Sequence, residues 1–258
     1  MTSTGEPLDT RHDATLYGRS FVDVYDDWYA DLHDLGEIVA AFGRRVPAPA
    51  RLLELGSGTG RLAEPFVEAG YQVVALDSSL AMLTLDPSDS LRVGGDMASL
   101  PIAPNSCDAA VIAYNTFFNL TGESLQQACL RDTARALRPG GLLAIEAFVA
   151  PPPDPAEPFG LSVVSHHTHA DRRMAIVTWQ ETGPAASDPS LITGAHIELG
   201  PDGSRTRPWQ LSYRSPAQID ALAAAAGLEL IERVADWSDS PSVADDTRHV
   251  SWYRGALA

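Results

Sequence analysis

A buried strand that runs directly into a glycine-rich turn constrains the fold of this chain more than any other feature. The apolar residues 52–55 are followed by Gly56, Gly58 and Gly60, and a helical pattern begins immediately afterwards. Glycine is needed where a backbone turns tightly and approaches a ligand closely, and the helix N-terminus supplies free N–H groups. The segment predicts the first βα unit of an open α/β sheet that binds a nucleotide-type ligand.

The chain continues in this βα rhythm up to a proline-rich segment at 151–158. Uninterrupted apolar strands favour a parallel sheet that is covered on both faces. Beyond the prolines the pattern alternates, which favours antiparallel strands, and the βα rhythm returns after Ser215 and Pro216, a helix N-cap and first-turn pair. The predicted strands are 51–55, 72–76, 91–94, 109–113, 142–148, 161–169, 174–181, 191–199, 207–213, 228–235 and 249–253.

We therefore predict a Rossmann-like α/β fold with a seven-stranded, mostly parallel, doubly wound sheet, an antiparallel β-insertion and an N-terminal helical cap. In the cap, the segment from Tyr17 to Arg45 predicts two short helices, and aromatic residues that recur every four positions from Tyr17 to Tyr29 are expected to share one helical face. The expected divisions are a disordered tail at 1–16, the cap at 17–48, a cofactor-binding core at 49–150, the β-insertion over the active site at 151–213, and the C-terminal part of the core at 214–258.

Composition excludes several classes of protein. All 18 basic residues are arginine, so neither a lysine Schiff base nor a P-loop lysine is available. The net charge of −16 disfavours nucleic acid and anionic membrane surfaces as partners. The chain has no apolar run of membrane-spanning length and no signal-peptide pattern, and its two cysteines do not form a disulfide framework. We expect a cytoplasmic protein, with both the monomer and the homodimer left open.

Acidic residues around the glycine-rich turn discriminate between nucleotide ligands. Asp77 ends the second strand, where its carboxylate can bind both hydroxyls of a ribose, and Asp96 ends the third, where it can accept the adenine amino group. Glu54 would repel a pyrophosphate, and the glycine spacing GxGxG differs from the GxGxxG of nicotinamide dinucleotide proteins. S-adenosylmethionine has no phosphate but carries an ammonium and a sulfonium, which acidic and aromatic side chains favour.

Five segments resemble the successive motifs of class I S-adenosylmethionine-dependent methyltransferases: LLELGSGTGRL, VVALDSS, GGDM, CDAAVIAYNTFFNL and ALRPGGLLAIEAF. The resemblance implies that Glu54 and the glycine loop line the methionine part, that Met82 packs on the adenine, and that lid tyrosines close over the cofactor. The full set of implied cofactor-binding residues is Tyr17, Tyr25, Glu54, Gly56, Ser57, Gly58, Gly60, Asp77, Ser78, Met82, Asp96, Met97, Tyr114 and Asn115.

One departure from the motifs bears on the acceptor. The aspartate-proline-proline-tyrosine signature of many amino-group and nucleic-acid methyltransferases is absent, and the segment 114–117 reads YNTF instead. The NTFFNL stretch, the β-insertion and the ending HVSWYR are similar to bacterial secondary-metabolite enzymes, including aminosugar N-methyltransferases and peptide α-N-methyltransferases. The resemblance implies methyl transfer to a nitrogen or oxygen of a small-molecule or peptide natural product, with S-adenosylhomocysteine as the other product.

Candidate catalytic residues are fewer, because methyl transfer depends mainly on alignment in a dry pocket. We predict that Tyr29 or His167 removes or steers a proton, and that Glu146 at the end of the fifth strand contacts either the substrate or an arginine. His166, His167 and His169 lack a matching carboxylate or cysteine pair, so no metal is expected. Two alternatives stay open: a cyclase or rearrangement catalyst that binds S-adenosylmethionine without consuming it, and a less favoured NAD(P)-dependent oxidoreductase.

Overall fold

A computed structural model of the chain describes residues 13–29, 35–150, 162–169, 172–180, 190–200, 203–243 and 245–257, with the backbone alone considered at 162–169 and 172–180. The helices are α1 (Leu16–Phe21), α2 (Tyr25–Tyr29), α3 (Leu35–Arg45), α4 (Ala63–Glu68), α5 (Leu80–Leu83), α6 (Glu123–Ala136) and α7 (Pro216–Ala225). The strands are β1 (Arg51–Leu55), β2 (Gln72–Asp77), β3 (Leu91–Gly94), β4 (Cys107–Ile112), β5 (Leu137–Phe148), β6 (Ser162–His169), β7 (Arg172–Gln180), β8 (Leu191–Gly200), β9 (Gly203–Ser212), β10 (Leu228–Val234) and β11 (Arg248–Gly255).

Seven strands form one sheet in the order β10-β11-β5-β4-β1-β2-β3. Pairing is parallel from β5 to β3, whereas β11 runs antiparallel to both β5 and β10. The order reverses between β1 and β4, and ligands of open α/β sheets bind at the carboxyl ends of the strands beside such a reversal. The predicted Rossmann-like sheet is confirmed, and the glycine-rich turn lies at this position.

Alternate residues of β1 pack on opposite faces of the sheet. Leu53 and Leu55 belong to one buried cluster with Phe117, and Leu52 belongs to the other with Phe42. Two covered faces explain why the central strands are mainly apolar. No helix among the described residues is long and apolar enough to cross a membrane.

The cap, β5 and the start of β9 differ most from the sequence prediction, which begins β9 at residue 207 where the structure has Gly203. Among the described residues of the cap there are three helices where two were predicted, because the aromatic segment breaks between Phe21 and Tyr25. Strand β5 begins at Leu137, which pairs with Cys107 of β4, and the ladder then resumes at Leu142. The proline and glycines at 139–141 therefore lie in an irregularity within the strand, where Gly140 has φ +75°, and not in a turn before it.

The predicted β-insertion is a four-stranded antiparallel sheet in the order β6-β7-β8-β9. Strand β9 contacts α1 of the cap and the 3-10 turn at Thr116–Asn119. Arg207 of β9 is only 2% exposed and donates to Glu198, to the carbonyl of Ser20 and to both oxygens of Asp23, the last at 2.6 and 3.0 Å. The insertion is thus fastened to the cap, and the two stand together over the carboxyl ends of the parallel strands.

Candidate active site

The glycine-rich loop is held against β2 and leaves space on its outer side. The N–H groups of Gly56 and Ser57 donate to the carbonyl of Leu76 at 2.7 and 3.0 Å. Gly56 has φ +74°, and a Cβ there would lie 2.3 Å from Thr116 Cγ2. Gly58 has φ +58°, and a Cβ there would point at Met82 Sδ from 3.6 Å. The loop requires glycine for its conformation, and at position 58 the missing side chain opens a cradle.

Asp77 is fixed in that cradle by two main-chain hydrogen bonds. Its Oδ2 accepts from the N–H of Gly58 at 2.9 Å and its Oδ1 from the N–H of Ser79 at 2.7 Å. Burial raises the pKa of the carboxyl above its ordinary value, although the main-chain donors oppose that shift. Each oxygen retains acceptor capacity, so the pair is suited to the two hydroxyls of a ribose.

A cleft of about 640 Å³ lies over this loop. Its lining does not include five residues of the predicted cofactor-binding set. Three of these are Glu54, Ser57 and Gly60, and the other two, Tyr114 and Asn115, line a second cavity beside the cleft. The cleft is lined by Ala14, Tyr17, Gly18, Tyr25, Gly56, Gly58, Asp77, Ser78, Met82, Asp96, Met97, Thr116, Asn119 and Leu120. Most of the residues predicted to bind the cofactor therefore converge on one space.

Glu54 is a buried acid beneath the cleft. It is 5% exposed, and its Oε2 has no hydrogen-bond partner among the described residues. Burial raises its pKa well above the ordinary value, and the charges of Asp86 and Asp77 add to the shift. An unpartnered buried carboxylate oxygen fits a ligand that brings a cation, as the ammonium of S-adenosylmethionine would. A pyrophosphate in its place would be repelled.

The cap is seated directly on the cofactor loop. Thr59 donates its hydroxyl to Asp26 of α2 at 2.5 Å, and Ser78 donates to the carbonyl of Ala14 at 2.5 Å. A Cβ on Gly18 of α1 would lie 2.4 Å from the Ser79 side chain, so this helix approaches α5 closely. Ala14 of the predicted tail thus lines the cleft and Leu16 begins α1, whereas residues 1–12 lie outside the described residues.

A second cavity of about 980 Å³ adjoins the cleft, and we call it the acceptor chamber. The two spaces share Tyr17, Tyr25, Thr116 and Asn119 as walls. The chamber is lined by Tyr17, Tyr25, Tyr29, Arg61, Tyr114, Asn115, Thr116, Asn119, Phe148, His196, Trp209 and Leu211. Tyr29, one of the two predicted catalytic residues, therefore lines the chamber.

The floor of the chamber is a strained turn held by β5. Tyr114 and Asn115 both have left-handed backbone, with φ +54° and +62°, which non-glycine residues rarely adopt. Glu146 accepts from the N–H of Tyr114 at 2.9 Å, and the Asn115 side chain accepts from the N–H of Phe148 at 2.7 Å. Glu146 thus holds the main chain that carries the Tyr114 ring, and its predicted contact with a substrate stays a prediction.

The tyrosines that line the chamber are half-buried and uncharged at neutral pH. Burial raises the pKa of Tyr17 well above its ordinary value and that of Tyr25 to about 12. Burial also raises the pKa of Tyr29, although a hydrogen bond with Tyr17 opposes the shift. These phenols keep their hydrogens at neutral pH, so Tyr29 can orient a polar group but is a poor base.

His196 is one of the chamber residues that the sequence did not predict, together with Asn119, Phe148, Trp209 and Leu211. Its ring lies on β8, is edge-on to Phe21 with centroids 5.0 Å apart, and stacks with Trp28 at 5.7 Å. Trp209 Nε1 donates to His196 Nδ1 at 3.1 Å, and Nε2 lies 3.5 Å from the hydroxyl oxygen of Tyr29. An alternating strand does not distinguish a buried histidine from a solvated one, because the distinction depends on the sheet face that the cap covers.

His167, the predicted alternative to Tyr29, lies on β6 with its backbone opposite Met174. Its side chain lies outside the described residues. Strand β6 is two strands from β8 in the insertion sheet, which corresponds to roughly 10 Å. A role for His167 therefore stays a prediction.

Comparisons with known proteins agree on one chemistry. A family model described as a methyltransferase domain matches residues 53–145. The structure of the CcbJ methyltransferase from Streptomyces caelestis is similar over 95% of this chain and 100% of that one, with a TM-score of 0.80 and 30% identity.

Two curated relatives match over different lengths. Cypemycin N-terminal methyltransferase from a Streptomyces species is 28% identical over 228 residues, which are 84% of this chain and 89% of the relative. Demethylmenaquinone methyltransferase from Renibacterium salmoninarum is 38% identical over 104 residues, 39% of this chain. That match spans only 42% of the relative's length, so it is confined to part of both proteins.

Proposed function

This chain belongs to the S-adenosylmethionine-dependent methyltransferases, as its motifs predicted, and we propose that it transfers the methyl group to a nitrogen of a small-molecule or peptide natural product. S-adenosylmethionine, when bound, supplies an electrophilic methyl on a sulfonium, and S-adenosylhomocysteine is the product. Asp77 would hold the ribose, Met82 would pack on the adenine, and Glu54 would face the ammonium. Tyr17, Tyr25 and Thr116, which border both cavities, would enclose the point where the two substrates meet.

The observation that carries the choice of nitrogen is the lack of an available base among the described residues that line the chamber. The phenols of Tyr17, Tyr25 and Tyr29 have raised pKa values, and Nδ1 of His196 accepts from Trp209. A hydroxyl must lose its proton to become a good nucleophile, whereas a neutral amine brings its own lone pair. Alignment in an enclosed pocket then suffices.

The relatives support an amine acceptor. The cypemycin enzyme is named as an N-terminal methyltransferase, and it matches most of this chain. The CcbJ methyltransferase, which is similar over 95% of this chain, supports methyl transfer as the activity of nearly the entire chain.

The proposal is tested with S-adenosylmethionine that carries a trideuterated methyl group, and the position of the label in the product is determined. Amino sugars and short peptides with a free N-terminus are each assayed beside the matching hydroxy compound, with mass spectrometry of both products. We expect labelled N-methyl product and an equal amount of S-adenosylhomocysteine. Label on the oxygen of a hydroxy compound would contradict nitrogen transfer, and an isomerised acceptor without S-adenosylhomocysteine would favour the non-consuming alternative.

A further inference from the structure

We propose that His196 is a positioning residue that donates a hydrogen bond from Nε2 to an oxygen of the acceptor, close to the reacting nitrogen. The acceptor class is then an amine with an adjacent carbonyl or hydroxyl oxygen, of which an α-aminoacyl amide is the simplest form. This inference rests on the proposed function, because it takes the chamber to be the acceptor site.

The tautomer of His196 follows from its partner. The indole N–H of Trp209 can only donate, so Nδ1 of His196, 3.1 Å away, must be the acceptor. A neutral imidazole carries one hydrogen, which is therefore on Nε2. That nitrogen is a donor, and it is directed at Tyr29, which lines the acceptor chamber together with His196.

The position of Trp209 is built into the insertion sheet. Gly194 of β8 pairs with Trp209 of β9, and a Cβ on Gly194 would lie 2.1 Å from Cζ2 of the indole. The indole of Trp209 thus lies directly over Gly194, in the place that a side chain would occupy. Only glycine at this position lets the ring reach His196.

The imidazole has little freedom to turn away. His196 is 7% exposed and is enclosed by the rings of Phe21 and Trp28. Rotation of the ring by half a turn about the Cβ–Cγ bond would place Cδ2–H, which cannot accept a hydrogen bond, opposite the donor-only indole. The packing and the hydrogen bond therefore favour one orientation and one tautomer together.

Tyr29 is a distant hydrogen-bond partner for Nε2 of His196, so a substrate oxygen could be a better one. The distance of 3.5 Å between Nε2 and the Tyr29 oxygen is at the long limit for a hydrogen bond, whereas strong N–H···O bonds are about 2.9–3.0 Å long. Tyr29 is itself a phenol that keeps its hydrogen. A substrate oxygen beside His196 Nε2 and the Tyr29 hydroxyl could accept hydrogen bonds from both groups. A hydrocarbon group in the same place could accept from neither.

The same geometry separates a positioning role from a catalytic one. Nε2 already bears a hydrogen and cannot accept a proton, and protonation of Nδ1 would break its bond with Trp209. Replacement by glutamine, which keeps an N–H donor near the position of Nε2 but cannot act as a base, should therefore preserve function. Replacement by leucine keeps the bulk and removes the donor.

The tautomer is tested first in the full chain labelled with ¹⁵N-histidine. Long-range ¹H–¹⁵N spectra, with the His196 signals assigned by their loss in His196→Gln, should show a neutral ring with its hydrogen on Nε2. Trp209→Phe removes the donor to Nδ1 and should release the second tautomer. A hydrogen on Nδ1 in the unmodified protein would overturn the proposal.

Recognition is tested with two probes in the presence of S-adenosylhomocysteine. L-Alaninamide carries the carbonyl beside its amine, and 3-methyl-2-butylamine replaces the carboxamide with an isopropyl group of similar shape. We expect L-alaninamide alone to shift the Nε2 signal and to bind about tenfold better, a preference that His196→Gln keeps and His196→Leu loses. An equal response to both probes, or to neither, contradicts the inference. Failure to bind S-adenosylhomocysteine, measured separately by calorimetry, would instead contradict the proposed function.

Discussion

Thr59 of the glycine-rich loop donates its hydroxyl to Oδ1 of Asp26 on α2 at 2.5 Å. The bond is charge-assisted, and it joins the loop under the cofactor cleft to the helix that carries Tyr25 over it. Because Tyr25 lines both cavities, release of this bond would open the cofactor site and the acceptor chamber together. The contact therefore holds the cap over both spaces.

Asp26→Ala should weaken the binding of S-adenosylhomocysteine by about 5- to 15-fold, which corresponds to the loss of roughly 1–1.5 kcal/mol from one hydrogen bond. Most of the change should be in the dissociation rate, because the cap opens more often. Asp27→Ala is the matched control, since Asp27 is an exposed residue of the same helix. Calorimetry and stopped-flow fluorescence measure both quantities, and equal effects of the two substitutions would argue against the contact.

Asp77→Asn should reduce the affinity for S-adenosylhomocysteine by about 100-fold or more. Both carboxylate oxygens already accept from main-chain N–H groups of Gly58 and Ser79, and an amide nitrogen would face one of these donors. The change removes a ligand contact and disturbs the loop, each worth roughly 1–3 kcal/mol. Asp89→Asn, at an exposed aspartate, should leave calorimetric binding unchanged. Unaltered affinity in Asp77→Asn would remove this residue from the cofactor site.

Glu54→Gln should stabilise the ligand-free protein at neutral pH and weaken its binding of S-adenosylmethionine. Burial raises the pKa of Glu54, so the free energy of unfolding falls as pH rises from the ordinary value of 4.5 through the raised one. Glutamine imitates the protonated form and escapes this loss. A gain of about 1 kcal/mol corresponds to a rise in Tm of roughly 2–4 °C.

The control for this substitution is Glu68→Gln, at an exposed glutamate of α4. Thermal unfolding across pH 4 to 8 should show the advantage of Glu54→Gln growing with pH, and Glu68→Gln should follow the unmodified protein. An advantage that shrinks as pH rises would contradict the raised pKa.

The cofactor side of the molecule could be predicted from sequence because each of its parts is local. Glycines at a strand end, and an aspartate at the end of the next strand, have fixed places in a parallel sheet, so Gly58 and Asp77 were predictable from spacing. The bounds of β1 and β3 were predicted to the residue. The late start predicted for β5 was wrong because prolines and glycines usually mark turns, and the pairing of Leu137 with Cys107 overrides that preference.

The acceptor side could not be predicted in the same way, because it is assembled from segments far apart in the chain. His196 meets Trp209 only through the β8–β9 register, and it meets Tyr29 only because the cap folds over the insertion. The backbone reversal at Tyr114 and Asn115 depends on Glu146 and Phe148 of another strand. Local periodicity does not contain such contacts, and acceptor pockets vary for this reason.

Asp23→Asn should loosen the cap from the insertion, with an effect that disappears in acid. Arg207 binds Asp23 through two nitrogens, and this contact lowers the pKa of Asp23 from its ordinary value of 3.8 to about 2. A carboxyl with a lowered pKa stabilises the fold fully above its unfolded value and loses that contribution as pH falls through the folded one. The window is therefore about pH 4 down to pH 2.

Solvent limits the size of this effect, because the Asp23 side chain is 42% exposed. We expect Asp23→Asn to cost on the order of 1 kcal/mol or less at pH 7, measured by urea unfolding, and only a small fraction of that near pH 2, where the carboxyl is half protonated. Arg207→Met should cost more, about 3 kcal/mol, since it leaves the buried carboxylate of Glu198 without its guanidinium. The quantity to measure is the difference in the free energy of unfolding between each variant and the unmodified protein. Other groups titrate in the same pH range, and their contributions cancel in this difference. A cost of Asp23→Asn that stays constant from pH 7 to pH 2 would mean that the guanidinium does not hold this carboxylate.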